Sequence, residues 1–225
     1  MKDPGLLTAM QVSIVTAAID LIPLLVALFC WQHIKRLKIL VSFCMMAFIT
    51  DIMLIYFAYH AWPNIGVVTL FSWLEFTLLS YLFAGWQSNL SLKRILQWGP
   101  FIMPLWMLFW LVGYDPGVVL CAAKVSECIV LAAVALQTLH VFSRDPQTPG
   151  RIPKFWISGG VLLYFAGNAS VFTAYLLLEI RDSALLHLAL NVVANIFYSL
   201  AFLTQRTSVS GSFAPRGQET PGFPA

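Results

Sequence analysis

Val67–Trp86 reads VVTLFSWLEFTLLSYLFAGW, twenty residues with a single ionisable side chain, Glu75. At about 1.5 Å per residue, a helix of this length crosses the roughly 30 Å hydrocarbon core of a bilayer. It is apolar on nearly every side, whereas a surface helix of a soluble domain keeps a polar face. The carboxylate in its middle carries a second message. An ionisable group at that depth costs about 2.5–3.5 kcal/mol on insertion scales, so its presence asks for a reason.

Six more runs of the same kind flank it, at Val12–Trp31, Ile39–Ala58, Ile95–Gly113, Val118–Phe142, Phe155–Leu178 and Leu185–Thr204. They predict an all-α, polytopic seven-helix membrane bundle over residues 12–204. A short outer amino terminus (residues 1–11) precedes it. The tail, residues 205–225, is rich in Ser, Gly and Pro, has no apolar periodicity and is expected to be disordered. A membrane barrel would instead show segments of about ten residues with strict alternation. Composition agrees: 60% of the 225 residues are apolar and 10% charged, which excludes both an ordinary soluble globule and a disordered chain. A net charge of +3 is too weak a bias to imply nucleic acid. The first run is not expected to be a cleaved signal, because Asp20 interrupts it and Ala27-Leu28-Phe29-Cys30-Trp31 offers no small-residue cleavage site.

The connectors set the orientation. Lys35, Arg36, Lys38, Lys93, Arg94, Arg144, Arg151, Lys154, Arg206 and Arg216 fall on one side, against Lys2 and Arg181 on the other. Cytoplasmic loops are enriched in Lys and Arg, so the amino terminus is expected outside and the carboxyl terminus in the cytoplasm, in a cytoplasmic (inner) membrane. Trp31, Trp86, Trp98 and Trp156 then lie at inner ends, and Trp62, Trp110 and Tyr114 at outer ends. Tyr114-Asp115-Pro116-Gly117 reads as a tight turn.

Five ionisable residues lie inside the runs: Asp20, Asp51, Glu75, Lys124 and Glu127. Asn168, Asn191 and Asn195 join them. Counting from outer helix ends puts Lys124 and Asn191 at about 9 Å, Asp51 at about 10 Å and Asp20 and Glu75 at about 12 Å. Glu127, Asn168 and Asn195 come at about 14–15 Å. Six helices thus contribute polar groups to one layer in the outer half. Lys124 and Glu127, three apart, can pair on one helix face. His187, Asn191 and Asn195, spaced by four, form a stripe on the last helix. Gly160, Tyr164, Gly167 and Asn168 give the sixth helix a face of small and hydrogen-bonding groups. These groups could simply hold helices together, but such contacts average about 0.6 kcal/mol, little return for buried carboxylates. Either some acids hold a proton, or a polar cavity supplies water or a cation. His187, at the rim, is either solvated or part of that cavity. Nine residues, Asp20, Asp51, Glu75, Lys124, Glu127, Asn168, His187, Asn191 and Asn195, are therefore candidates for an outward-facing ligand pocket.

Other chemistries find little footing. The four histidines, His33, His60, His140 and His187, do not converge as zinc ligands. The cysteines, Cys30, Cys44, Cys121 and Cys128, have no metal spacing and read as small buried hydrophobes. The last run holds no lysine for a retinal Schiff base, and no G-x-S-x-G, H-E-x-x-H or P-loop occurs. No cofactor is implied.

Four stretches carry a likeness: Phe71-Ser72-Trp73-Leu74-Glu75-Phe76, Lys124-Val125-Ser126-Glu127, Phe155 to Gly160 with Tyr164-Phe165-Ala166-Gly167-Asn168, and Leu190 to Asn195. In this order the chain resembles a group of small, poorly characterised bacterial seven-helix membrane proteins. It is also broadly similar to the seven-helix input modules of bacterial sensor kinases. The resemblance implies a sensory setting by analogy only. The kinase or cyclase output of such sensors is not in this sequence. The expectation is a sensory or ligand-binding membrane module rather than an enzyme, taking a small polar or cationic ligand and signalling to a partner protein. The rivals are a lipid-acting membrane enzyme using the carboxylates, and a small cation- or proton-coupled transporter, which should carry polar groups through to the inner surface.

Overall fold

The computed structural model describes residues 4–111, 116–143, 152–178 and 184–211. Its regular structure there is wholly helical: α1 (Pro4–Phe29), α2 (Lys38–Tyr59), α3 (Ile65–Ala84), α4 (Leu90–Leu111), α5 (Pro116–Ser143), α6 (Pro153–Leu178) and α7 (Ala184–Gly211), with a 3-10 turn at Ile34–Leu37. Among the described residues, six helices are long and apolar enough to cross a membrane; α4 carries Lys93 and Arg94 near its start and Pro100 and Pro104 inside.

The helix starts follow from local chemistry. Proline opens α1, α5 and α6, where its missing N–H has no intrahelical duty. Asn89 caps α4: its Oδ1 accepts the N–H groups of Ser91 at 2.9 Å and Leu92 at 3.3 Å. The cap draws Lys93 and Arg94 into the helix, so α4 begins at Leu90, before the expected Ile95. Two further boundaries differ from expectation. α1 starts at Pro4 instead of Val12. α7 runs to Gly211 instead of stopping at Thr204, because Gln205 is buried and the Arg206 guanidinium sits 4.7 Å from the Phe29 ring centroid. The expected disorder of the tail is thus corrected for residues 205–211, and residues 212–225 lie outside the described residues. So do Tyr114 and Asp115 of the expected turn, whose Pro116 and Gly117 instead open α5, and Lys2, Arg144, Arg151, Arg181 and Arg216.

The helices form a ring in the order α1, α2, α3, α5, α6, α7, closing back on α1. α4 stands outside it, against α3 and α5. The closest packing is α5 on α6 and α6 on α7, and the second uses glycine where the two helices press together. A Cβ on Gly160 would lie 2.9 Å from the Phe197 Cβ and 3.4 Å from the Ala194 carbonyl oxygen, so only hydrogen fits. One half of the ring is filled by an apolar core that includes Leu40, Leu79, Phe83, Leu131, Ile157, Val161 and Phe202. The outward faces are greasy as well: Leu25, Leu28, Ile49, Ile52, Leu70, Ile129, Leu136 and Ile196 are all exposed.

α4 is held by a bond that its own prolines create. Pro104 has no N–H, so the carbonyl of Pro100, four residues earlier, loses its helical donor. The Trp73 indole of α3 supplies one, Nε1 donating to the Pro100 oxygen at 2.8 Å. Trp73→Phe should cost about 1–3 kcal/mol in detergent unfolding titrations, the penalty for an unsatisfied acceptor. In a Pro104→Ala background, where the helical N–H returns, the cost should shrink to under about 1 kcal/mol by the double-mutant comparison. An equal cost in both backgrounds would remove this account of how α4 is held.

Candidate functional site

Above the apolar half, the ring encloses a chamber of about 230 Å³. All six ring helices line it and α4 does not: Thr16 and Asp20 from α1, Thr50 and Asp51 from α2, Ser72 and Glu75 from α3, Lys124 from α5, Tyr164 from α6, and His187, Asn191, Asn195 and Tyr198 from α7. Val68 and His187, in the first turns of α3 and α7, also line it, so the chamber reaches one end of the bundle.

Two acid clusters stand in this region. In one, the Lys124 ammonium bridges α3 and α5: it donates to Glu75 Oε2 and lies 3.0 Å from Glu127 Oε2. Glu127 is held as an ion pair alone, since neither of its buried oxygens receives a directed hydrogen bond. The rings of Phe71 and Phe165 flank the same ammonium, with centroids at 6.0 Å and 5.9 Å. In the other cluster, Asp20 Oδ1 accepts from Asn191 Nδ2 at 2.9 Å and Asn195 Nδ2 at 2.8 Å, joining α1 to α7. Asn195 Nδ2 is also 3.0 Å from Asn191 Oδ1, which fixes the two amides relative to each other. Asp20 and Asp51 face the same chamber from α1 and α2. Two carboxyls facing one small chamber repel unless a proton or a cation stands between them.

Of the nine candidate residues, seven line the chamber: Asp20, Asp51, Glu75, Lys124, His187, Asn191 and Asn195. The other two do not line it. Glu127 stands behind Lys124, beside a separate apolar groove between α4 and α5. Asn168 is fully buried behind His187, whose Nδ1 donates to Asn168 Oδ1 at 2.8 Å in the tautomer protonated there. His187 thus turns toward the chamber and is partly buried. The Lys124–Glu127 pair and the α7 stripe form as their spacing requires.

Sequence reasoning passed over Thr16, Thr50, Ser72, Cys44 and Tyr198. Helical spacing carried a signal for most of them: Thr16 is one turn before Asp20, Ser72 one turn before Glu75, and Tyr198 one turn after Asn195. Thr16 is satisfied locally, its hydroxyl donating to the Val12 carbonyl at 2.9 Å. Among the described residues Ser72 Oγ and Tyr198 OH are buried without a hydrogen-bond partner. Among the described residues the four cysteines are free thiols, and no three His, Cys, Asp or Glu side chains gather as metal ligands.

The charge triad gives a sharp test. Lys124→Met leaves two buried carboxylates without their cation and should cost about 3–5 kcal/mol in unfolding titrations. Adding Glu75→Gln and Glu127→Gln removes the stranded charges, and the triple variant should recover most of that loss. A Lys124→Met variant as stable as the parent would mean that the lysine does not hold these acids. With this geometry in hand, comparison with known proteins finds no family, no curated protein and no solved structure that matches the chain.

Proposed function

We propose that the chain is a multi-pass protein of a cytoplasmic membrane and serves as a sensory, ligand-binding module. The ligand would enter the chamber from the outer side. A belt of exposed large apolar residues around a bundle with polar groups inside supports embedding in lipid. The charge asymmetry of the ends supports the orientation. Lys38, Lys93, Arg94, Lys154 and Arg206 lie at the end remote from the chamber. In this reading the amino terminus is outside and the basic end meets the cytoplasm.

The observation that carries the functional reading is a chamber with a floor. Six helices bring donors and acceptors to one space, and beneath it the ring is filled by Leu40, Leu79, Phe83, Leu131 and Phe202. A carrier would need charge-bearing groups below that level, whereas the buried polar groups there, among the described residues, are the hydroxyls of Ser80, Thr138, Ser158 and Ser199 and the Gln205 amide; a catalytic reading needs a reactive group that the site does not single out. A binding chamber whose contents bias the packing of the helices around it needs neither. Output would pass from the basic end to a partner protein.

In a cysteine-free background, Ser72→Cys should react with a small, impermeant cationic methanethiosulfonate added outside right-side-out vesicles. Its rate should exceed that of a cysteine placed at Leu131 in the floor by about a hundredfold or more, as burial denies the reagent a thiolate. Reaction from the cytoplasmic side alone would overturn the orientation, and no reaction from either side would overturn the open chamber.

A further inference from the structure

The chamber region holds two pairs of acids, and the protein treats them differently. Glu75 and Glu127 have a resident ammonium, that of Lys124, with the rings of Phe71 and Phe165 beside it. Asp20 and Asp51 have an aromatic neighbourhood too: Phe43 and Tyr198 line the same chamber and meet edge to face, with ring centroids 5.8 Å apart. Among the described residues no lysine or arginine lining the chamber serves this second pair, because Lys124 is committed to the first. His187, the other basic side chain of the lining, is bonded to Asn168.

The hydrogen-bond inventory points the same way. Asp20 Oδ1 already has two amide donors. Among the described residues Asp51 Oδ2 has none, and the Ser72 and Tyr198 hydroxyls, 2% and 3% exposed by residue, have no partner either. All three residues line the chamber. A carboxylate only accepts, while a hydroxyl both donates and accepts, so this wall is rich in acceptors. Its complement is a group rich in donors. A primary ammonium carries three N–H donors and no acceptor. Its positive charge suits both the acid pair and the faces of aromatic rings. A bare divalent cation fits less well: it wants six or more oxygens close around it, and much of this lining is ring and alkyl.

We propose, building on the chamber reading above, that the ligand class is a small primary alkylammonium ion. Its ammonium sits on the Asp20–Asp51 pair, and its alkyl part lies against the aromatic wall that includes Phe43 and Tyr198. Asn191 and Asn195 hold Asp20 in place for it. The site repeats, with a diffusible amine, the arrangement that Lys124 already completes with Glu75 and Glu127.

The test uses the full chain in right-side-out vesicles, with the Ser72→Cys labelling rate as readout and three probes: n-butylammonium, tetramethylammonium and butan-1-ol. n-Butylammonium at saturation should slow labelling about tenfold or more, and butan-1-ol, neutral and of the same length, should leave the rate unchanged. Tetramethylammonium, which has charge but no N–H, should need about tenfold more for the same protection, the equivalent of roughly 1.4 kcal/mol. Asp51→Asn should raise the half-protecting concentration of n-butylammonium at least about tenfold, as expected when a buried charge loses its partner. Should Asp51→Asn fail to fold, Tyr198→Phe takes its place, with an expected loss of about threefold to tenfold for one hydrogen bond. Equal protection by butan-1-ol, or no protection by any probe while Ser72→Cys still reacts from outside, would overturn the amine proposal and leave the chamber reading standing. Failure of Ser72→Cys to react at all would instead remove the chamber reading, and the amine with it.

Discussion

Lys124 stands between Glu75 and Glu127, and much else in the bundle follows from that contact. Three ionisable groups on two helices would each be costly in an apolar interior. Together they are tolerable, because the ammonium answers both acids and two aromatic rings border it. The contact also fixes α3 against α5 directly. That leaves α4, which lies between them in sequence, no place in the ring. It is displaced to the outside and fastened to α3 by the Trp73 indole. The fold is therefore less a seven-membered ring than a six-membered one with a buttress.

A polar group in such a bundle has few choices. It can bond along its own helix, as the hydroxyls of Thr16, Thr77, Thr138 and Ser199 do. It can bond across to another helix, as Asp20 does with Asn191 and Asn195. Or it can face a cavity. The first choice leaves packing unchanged, and the second ties helices together. Ser72 and Tyr198 take neither, although both are deeply buried. Both stand on the chamber wall, where there is room for water or a ligand, whereas Ser80 and Ser158, also buried without a partner among the described residues, do not line it.

Much of this was legible in the sequence, and the reasons are specific. Apolar runs of about twenty residues have one common solution, a buried or membrane-crossing helix, so the helix count followed from length and composition. The polar layer could be read because depth along a helix is simple arithmetic. Direction around a helix is harder. Glu127 and Lys124 lie within one turn, yet only Lys124 lines the chamber, and which side of α5 faces inward depends on where α6 packs. Asn168 has the right depth but is covered by His187. The displacement of α4 could not be read locally at all, because it rests on the long-range contact of α3 with α5. Where the helix ends were misplaced, the cause was local: the Asn89 cap at α4, and the burial of Gln205 beyond the last apolar run.

The α1–α7 seam is where chamber and basic end meet. At the chamber, α1 is bound to α7 through Asp20 and the two asparagines. Near the opposite end, Arg206 of α7 rests on Phe29 of α1. Between the two contacts, Pro23 interrupts the hydrogen-bond ladder of α1 by leaving the Ile19 carbonyl without its helical donor. A helix so interrupted bends more readily at that point than an unbroken one. Any group that competes with Asn191 and Asn195 for Asp20 acts on α1 just above this weak point, while α7 continues unbroken to Gly211. In a sensory protein, the relative motion of these two helices is then the shortest physical route from chamber to basic end. It requires no polar pathway through the apolar floor, only two arrangements of one seam whose balance the occupant of the chamber shifts.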